Sequence, residues 1–243
     1  MKPPASTARR SVTPQPAARR PAQLSRPARS APAPAAGAPF PVIAMAASVG
    51  GLKALSVILG GLPAHFPAAI AIVMHLSPDH KSILAELLGR RTPLTVKQAE
   101  TGDVLAPTCV FIAPPNHHLF VAPGGILKLS SPAAEKIKYA RPSAEPLFTS
   151  VAAVYKKVAI AVVLTGGDGD GSFGVQVIKD HGGQVIAQDR STSEDFSMPK
   201  TSIETGDVDF ILPLDEIAAK LIALVGSGRK ARPLPAAKRV KLR

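Results

Sequence analysis

Val42-Ile43-Ala44-Met45-Ala46-Ala47-Ser48-Val49-Gly50-Gly51 is the stretch from which the fold can be read. An apolar run ends in a small hydroxyl side chain, and two glycines follow before a helical pattern begins. An unbroken apolar run bounded by turn residues signals a strand buried on both faces, as in a parallel sheet covered by helices. Ala69-Ile70-Ala71-Ile72-Val73-Met74 is a second run of this kind and ends at His75. Val158-Ala159-Ile160-Ala161-Val162-Val163-Leu164 is a third and leads into Thr165-Gly166-Gly167-Asp168-Gly169-Asp170-Gly171. Sites in open α/β sheets form at the carboxyl ends of the strands. A serine, a histidine and an aspartate from three strand ends are therefore expected at one rim.

The remaining pattern extends this alternation. Strands are expected at 42–47, 69–74, 94–97, 109–113, 158–164, 184–188 and 209–212. Helices are expected at 50–60, 80–88 with Asp79 near its start, 144–156, 171–181, 199–204 and 214–225. Residues 118–122 and 126–129 flank Pro123-Gly124-Gly125, a hairpin signal. The expected fold class is α/β: a doubly wound, mostly parallel sheet flanked by helices in three layers, Rossmann-like, with a small β-hairpin insertion near 110–130.

Composition sets the outer limits. The chain has 243 residues, 46% of them hydrophobic, which supports a substantial core. Aromatic content is 4% with no Trp, so the core is aliphatic, and a stacking platform for single-stranded nucleic acid is not expected. The net charge of +12 is unevenly spread. Residues 1–40 and 226–243 each carry seven basic residues and no acidic one, whereas 41–225 holds 15 basic and 17 acidic residues, a net of −2. Residues 1–38 are rich in Pro, Ala, Arg and Ser without apolar periodicity, and read with 226–243 as disordered basic tails around a globular domain at 40–225. Two cationic tails on a near-neutral domain do not describe a DNA-reading domain, so no specific nucleic acid is expected. The single cysteine, Cys109, rules out an internal disulfide, in keeping with a reducing cytoplasm. No apolar run reaches the roughly 18–20 residues of a membrane span.

The three strand ends carry groups suited to acyl chemistry. A serine hydroxyl needs a base to take its proton, and the base needs an orienting acid. Ser48, His75 and Asp170 supply those types, and the N–H groups at the helix start after Ser48, at Val49 and Gly50, are candidates to hold an oxyanion. The bland alternatives stay open on spacing alone. Ser-Val-Gly-Gly at a strand–helix junction also suits a bound phosphate, although the Walker lysine pattern is absent. His75 also fits a satisfied histidine at a sheet edge, and Asp168 and Asp170 a structural turn. His65, His80, His117, His118 and His181 sit near predicted turns or helix ends. No His/Cys/Asp/Glu group has metal-ligand spacing, so no metal is expected.

Together these stretches resemble the catalytic domain of the bacterial chemotaxis protein-glutamate methylesterases, the CheB type. The family's nucleophile motif is similar to Ile-Gly-Ala-Ser-Thr-Gly-Gly, and here it reads Met45-Ala46-Ala47-Ser48-Val49-Gly50-Gly51. Its histidine ends the second strand, as His75 does. Its acid lies in a Leu-Thr-Gly-Met-Gly-x-Asp-Gly loop, matched by Leu164–Gly171 with the acid at Asp170. Arg141-Pro142-Ser143-Ala144 and Ser197-Met198-Pro199 resemble further family segments. The resemblance covers about residues 40–225.

It implies hydrolysis of glutamyl methyl esters on the cytoplasmic region of methyl-accepting chemoreceptors in the cytoplasm, with related deamidation of glutamines there. The implied catalytic residues are Ser48, His75 and Asp170, and no cofactor is implied. Val49 replaces the family threonine, Gly167 replaces the family methionine whose backbone N–H the resemblance implies lies near the oxyanion, and the Gly-Asp-Gly-Asp order alters the chemistry at Asp168. The alternative is a weakly active or inactive binding or regulatory module. Typical members carry an N-terminal receiver domain, which residues 1–38 are too short to form. The basic tails are expected to tether the enzyme to an acidic partner or an anionic membrane surface.

Overall fold

The computed structural model describes residues 40–75 and 82–227. The expected tail at 1–38, the tail from residue 228 onward, and Asp79 and His80 lie outside the described residues, whereas Gly226 and Ser227, expected in the second tail, continue the last helix.

Seven strands form one sheet: β1 (Val42–Ala47), β2 (Ala69–Met74), β3 (Thr95–Gln98), β4 (Cys109–Ile112), β7 (Ala159–Val163), β8 (Gln184–Gln188) and β9 (Phe210–Leu212). Their spatial order is β3-β4-β2-β1-β7-β8-β9, and every neighbouring pair is parallel. A separate antiparallel hairpin joins β5 (Leu119–Ala122) and β6 (Ile126–Leu129). The helices are α1 (Gly51–Gly60), α2 (Leu84–Gly89), α3 (Ala144–Tyr155), α4 (Ser172–Asp180), α5 (Ser197–Glu204) and α6 (Leu214–Ser227). No helix among the described residues is long and apolar enough to cross a membrane.

Alternation along the strands builds the layers, because successive side chains leave a strand on opposite faces. Ile43, Met45, Ala47, Ile70 and Ile72 pack with Leu55, Ile58 and Leu59 of α1 and with Ile217 and Leu221 of α6. Val42, Ala44, Ala46, Ala71 and Ala161 face the other way, onto Leu147, Phe148 and Val151 of α3. The second set is mostly alanine, so α3 sits close to the central strands and fills the space with Leu147 and Phe148. A doubly wound sheet with helices on both faces follows.

From β1 the chain moves to β2, then to the edge strand β3, fills the gap between them with β4, and returns to the other side of β1 with β7. The carboxyl ends of β2, β1 and β7 therefore meet where the winding reverses, the place where such sheets open a crevice. The elements agree with the sequence expectations to within a few residues. The largest difference is α2, which starts at Leu84 rather than 80.

Candidate active site

Strand register brings Ser48 and His75 together. β1 and β2 pair through Ala47 and Met74, so Ser48 and His75 are the next residues on adjacent strands. His75 N donates to Ala47 O at 3.1 Å, continuing the ladder. On the other flank Leu164 N donates to Ala46 O and Ser48 N to Thr165 O, each at 2.9 Å. Glycines permit the crowding that results. A Cβ on Gly166 would lie 2.7 Å from Ser48 Cβ and 2.1 Å from Met198 Sδ. Gly50 takes a left-handed conformation (φ 77°) as it starts α1, a geometry that favours glycine.

The imidazole of His75 lies between two carboxylates. Its Nε2 is 3.0 Å from Asp170 Oδ2, and its Nδ1 is 3.1 Å from Asp168 Oδ2. Carboxylates only accept, so this arrangement suits the doubly protonated ring. Burial favours the neutral imidazole, but the hydrogen bonds and charges of Asp168 and Asp170 outweigh it and push the pKa up to about 9. Burial also works against the charge on Asp168, yet the hydrogen bond and charge of His75 hold its carboxyl below the usual carboxylate range.

The two carboxylates are held differently. Asp170 is fully buried. It accepts from Ser143 Oγ at 2.6 Å and from Ala144 N at the first turn of α3. These donors fix the Asp170 carboxylate in place beside the first turn of α3. Asp168 is 35% exposed, and its Oδ1 accepts from Asp170 N at 3.2 Å.

Glu145 holds the loop between them. α4 begins at Gly171 with no capping side chain of its own. The buried carboxylate of Glu145 takes that place, accepting from the N–H groups of Gly171, Phe173 and Gly174. Lys138 pairs with Glu145 at 3.1 Å and donates to Gly169 O and Ser172 Oγ.

Sequence reasoning thus brought Ser48, His75 and Asp170 to one rim but read Asp168 only as altered loop chemistry. It missed Glu145 altogether. Ser143 lay inside a quoted segment without a role; a serine before Ala-Glu-Pro is an N-cap signal, and its Oγ does accept from Glu145 N. His118 is a structural histidine, taking Ser143 N on Nδ1 and contacting Glu135 O through Nε2.

Among the described residues Ser48 Oγ makes no hydrogen bond, and neither does the N–H of Gly167. The carbonyls of Val49 and Gly50 are engaged by Thr165 Oγ1 and Ala54 N, which fixes the turn after Ser48. Ser48 lines a cleft of about 500 Å³ with Leu52, Val57, Met74 and Arg91. His75 and Asp168 line another of about 370 Å³ with Asn116, Lys136, Lys138 and Arg141. A serine beside a histidine backed by a buried carboxylate is the arrangement that acyl transfer uses.

The CheB methylesterase family model matches residues 43–221, which include every one of these groups. The chain belongs to the CheB methylesterase family. The crystal structure of the Thermotoga maritima CheB methylesterase catalytic domain superposes with a TM-score of 0.73 at 38% identity, covering 77% of this chain and 100% of that one. The protein-glutamate methylesterase/protein-glutamine glutaminase 2 of Anaeromyxobacter dehalogenans is 43% identical over 189 residues, 78% of this chain and 54% of its own length. The protein-glutamate methylesterase FrzG of Myxococcus xanthus is 38% identical over 207 residues, 85% of this chain and 60% of its own length. The chain spans little more than half the length of these curated relatives. Two departures from the CheB motif have a simple spatial meaning. Val49, in place of threonine, is 50% exposed, and a Cβ on Gly167 would meet only Asp195, at 3.1 Å from Oδ2.

Proposed function

We propose that this chain is a serine hydrolase that demethylates glutamate methyl esters on the cytoplasmic region of chemoreceptors, with deamidation of glutamines there as a related activity. The observation that supports it most is the meeting of Ser48 with His75, and of His75 with the buried Asp170, in a chain 43% identical to a protein named protein-glutamate methylesterase/protein-glutamine glutaminase.

In this mechanism His75 takes the Ser48 proton as Oγ attacks the ester carbonyl. Asp170 orients the ring through Nε2 and stabilises the imidazolium, so Nδ1 is the nitrogen that serves the serine. N–H groups of Val49, Gly50 and Gly167 are the proposed oxyanion donors, and that of Gly167 has no competing partner among the described residues. The tetrahedral intermediate collapses as His75 returns its proton to the departing methoxide, releasing methanol. Water then attacks the acyl-serine with His75 again as base, freeing the glutamate and Ser48. None of these steps requires a cofactor.

The test is methanol release from methylated chemoreceptor cytoplasmic fragments, wild type beside Ser48→Ala. Release by the wild type that disappears in the variant is expected. Release that persists in Ser48→Ala overturns the assignment of the nucleophile, and a folded wild type that releases none leaves a CheB-like binding module. The site of action is taken to be the cytoplasm. The basic segments 1–38 and 226–243, with seven basic residues each and no acidic one, are proposed to tether the enzyme to an acidic partner or an anionic membrane surface.

A further inference from the structure

A histidine that serves as base for a serine must keep one ring nitrogen for the acid and offer the other to the hydroxyl. Here neither nitrogen is offered. Asp170 occupies Nε2, Asp168 occupies Nδ1, and Ser48 Oγ has no hydrogen bond among the described residues. One carboxylate has to leave before Ser48 can be activated, and they are not equally free to do so. Asp170 is fully buried and tied to Ser143 Oγ and Ala144 N. Asp168 is 35% exposed, sits between Gly167 and Gly169, and borders an open cleft.

We propose that Asp168 is a positioning residue that caps the ring nitrogen Ser48 needs, so that the hydrolase site rests latent until this carboxylate swings away. The inference builds on the serine hydrolase reading above. It assigns Asp168 a restraining role rather than a share in orienting the base, and the release of Asp168 becomes the step through which activity is set.

The surroundings fit such a latch. Lys136, Lys138 and Arg141 face His75 and Asp168 across the cleft. Lys138 is held by Glu145, Gly169 O and Ser172 Oγ. Arg141 is held by Asn116 and the Ala134 carbonyl. Lys136 has no ion pair among the described residues and is the cation able to receive Asp168 when it moves. Asp195, on the segment before α5, is a further carboxylate near Asp168, and its hydrogen bonds from Ser197 N and Oγ hold it below the usual carboxylate range. Asp79, His80 and Lys81 follow His75 in sequence and lie outside the described residues.

The latch has a kinetic signature. With the ring pKa pushed up to about 9, only about one ring in a hundred is neutral at pH 7. The experiment measures kcat/KM for p-nitrophenyl acetate from about pH 6 to about pH 10 on the full chain, for wild type, Asp168→Asn, Asp168→Gly and Ser48→Ala. The wild-type rate should rise along an alkaline limb near pH 9. In Asp168→Asn and Asp168→Gly that limb should move toward the ordinary histidine range, raising the rate at pH 7 by about 10- to 50-fold. Limbs that superpose on the wild type, or rates that fall at every pH, overturn the latch. A parallel NMR titration of ¹⁵N-histidine-labelled protein keeps the two proposals separable. If no variant cleaves the ester above the Ser48→Ala background, the hydrolase reading fails. The cap on His75 is then judged by whether its titration drops by about one pH unit or more in Asp168→Asn, and an unchanged titration overturns it.

Discussion

Glu145→Ala removes the group that organises the loop carrying both aspartates. Three N–H groups at the start of α4 lose their acceptor, from Gly171, Phe173 and Gly174. Phe173 is 59% exposed and its bond is the longest at 3.3 Å, so water can replace it at little cost. Gly171 and Gly174 are buried, and each unsatisfied buried donor costs about 1–3 kcal/mol. The expected destabilisation is therefore about 3–4 kcal/mol, which lowers Tm by roughly 6–15 °C for a domain of this size. Glu145→Gln keeps one oxygen but turns an amide NH₂ toward a helix N-terminus, and about 1–2 kcal/mol is expected.

Lys138 decides whether the acceptor role or the ion pair matters. Its side chain is 38% exposed, so solvent screens the pair with Glu145 and Lys138→Met should cost under about 1 kcal/mol. Thermal unfolding followed by circular dichroism, alongside ester hydrolysis on the same samples, is the assay. The expected order of loss is Glu145→Ala, then Glu145→Gln, then Lys138→Met, with hydrolysis falling in the same order as Asp170 drifts from His75. A Lys138→Met loss equal to that of Glu145→Gln would refute the capping account and put the ion pair in its place.

Two further outcomes follow from charge. The pKa of His75 is raised from 6.5 to about 9 in the folded protein, so the folded state binds that proton more tightly than the unfolded chain. Its contribution to stability is fully present below about pH 6.5 and is lost as pH rises through about 9. The urea midpoint of the wild type should therefore fall between about pH 7 and about pH 10 by more than that of His75→Gln; equal falls would argue against the double pairing. Deletion of 1–38 and 226–243 should weaken sedimentation with anionic vesicles or binding to acidic partners while leaving turnover of a small ester intact, and unchanged binding at low salt would defeat the tether.

Most of the sheet was legible because its signals are local. The runs at 42–47, 69–74 and 159–163 are apolar at every position, and each ends at a polar residue or a glycine-rich turn. That β3 lies outside β4 was not legible, since the order depends on how short strands dock rather than on either run. Ser48 and His75 were legible because each immediately follows a strand. Asp168 and Asp170 were harder to separate. They are two residues apart in one loop, and both reach His75, because Gly169 and Gly171 in the left-handed region fold the loop back on itself. Glu145 was invisible for a different reason. It serves α4, whose N–H groups lie 26–29 residues further along the chain, and no periodicity carries that information.

These two kinds of placement have different mechanical consequences. Ser48 and His75 are fixed by backbone ladders in the middle of a seven-stranded sheet, where a shift of register would turn every buried side chain to the wrong face. Their spacing is therefore insensitive to single side-chain changes nearby. The acids are fixed by polar side chains at the ends of α3 and α4, through Ser143 on one side and Glu145 on the other. A substitution there unfolds nothing in the sheet but moves the carboxylates relative to the imidazole. On the proposed mechanism, activity is tuned through the loop of Asp168 and Asp170 while Ser48 and His75 stay where the strands leave them, and that loop is where a restraint on His75 would be both effective and easily removed.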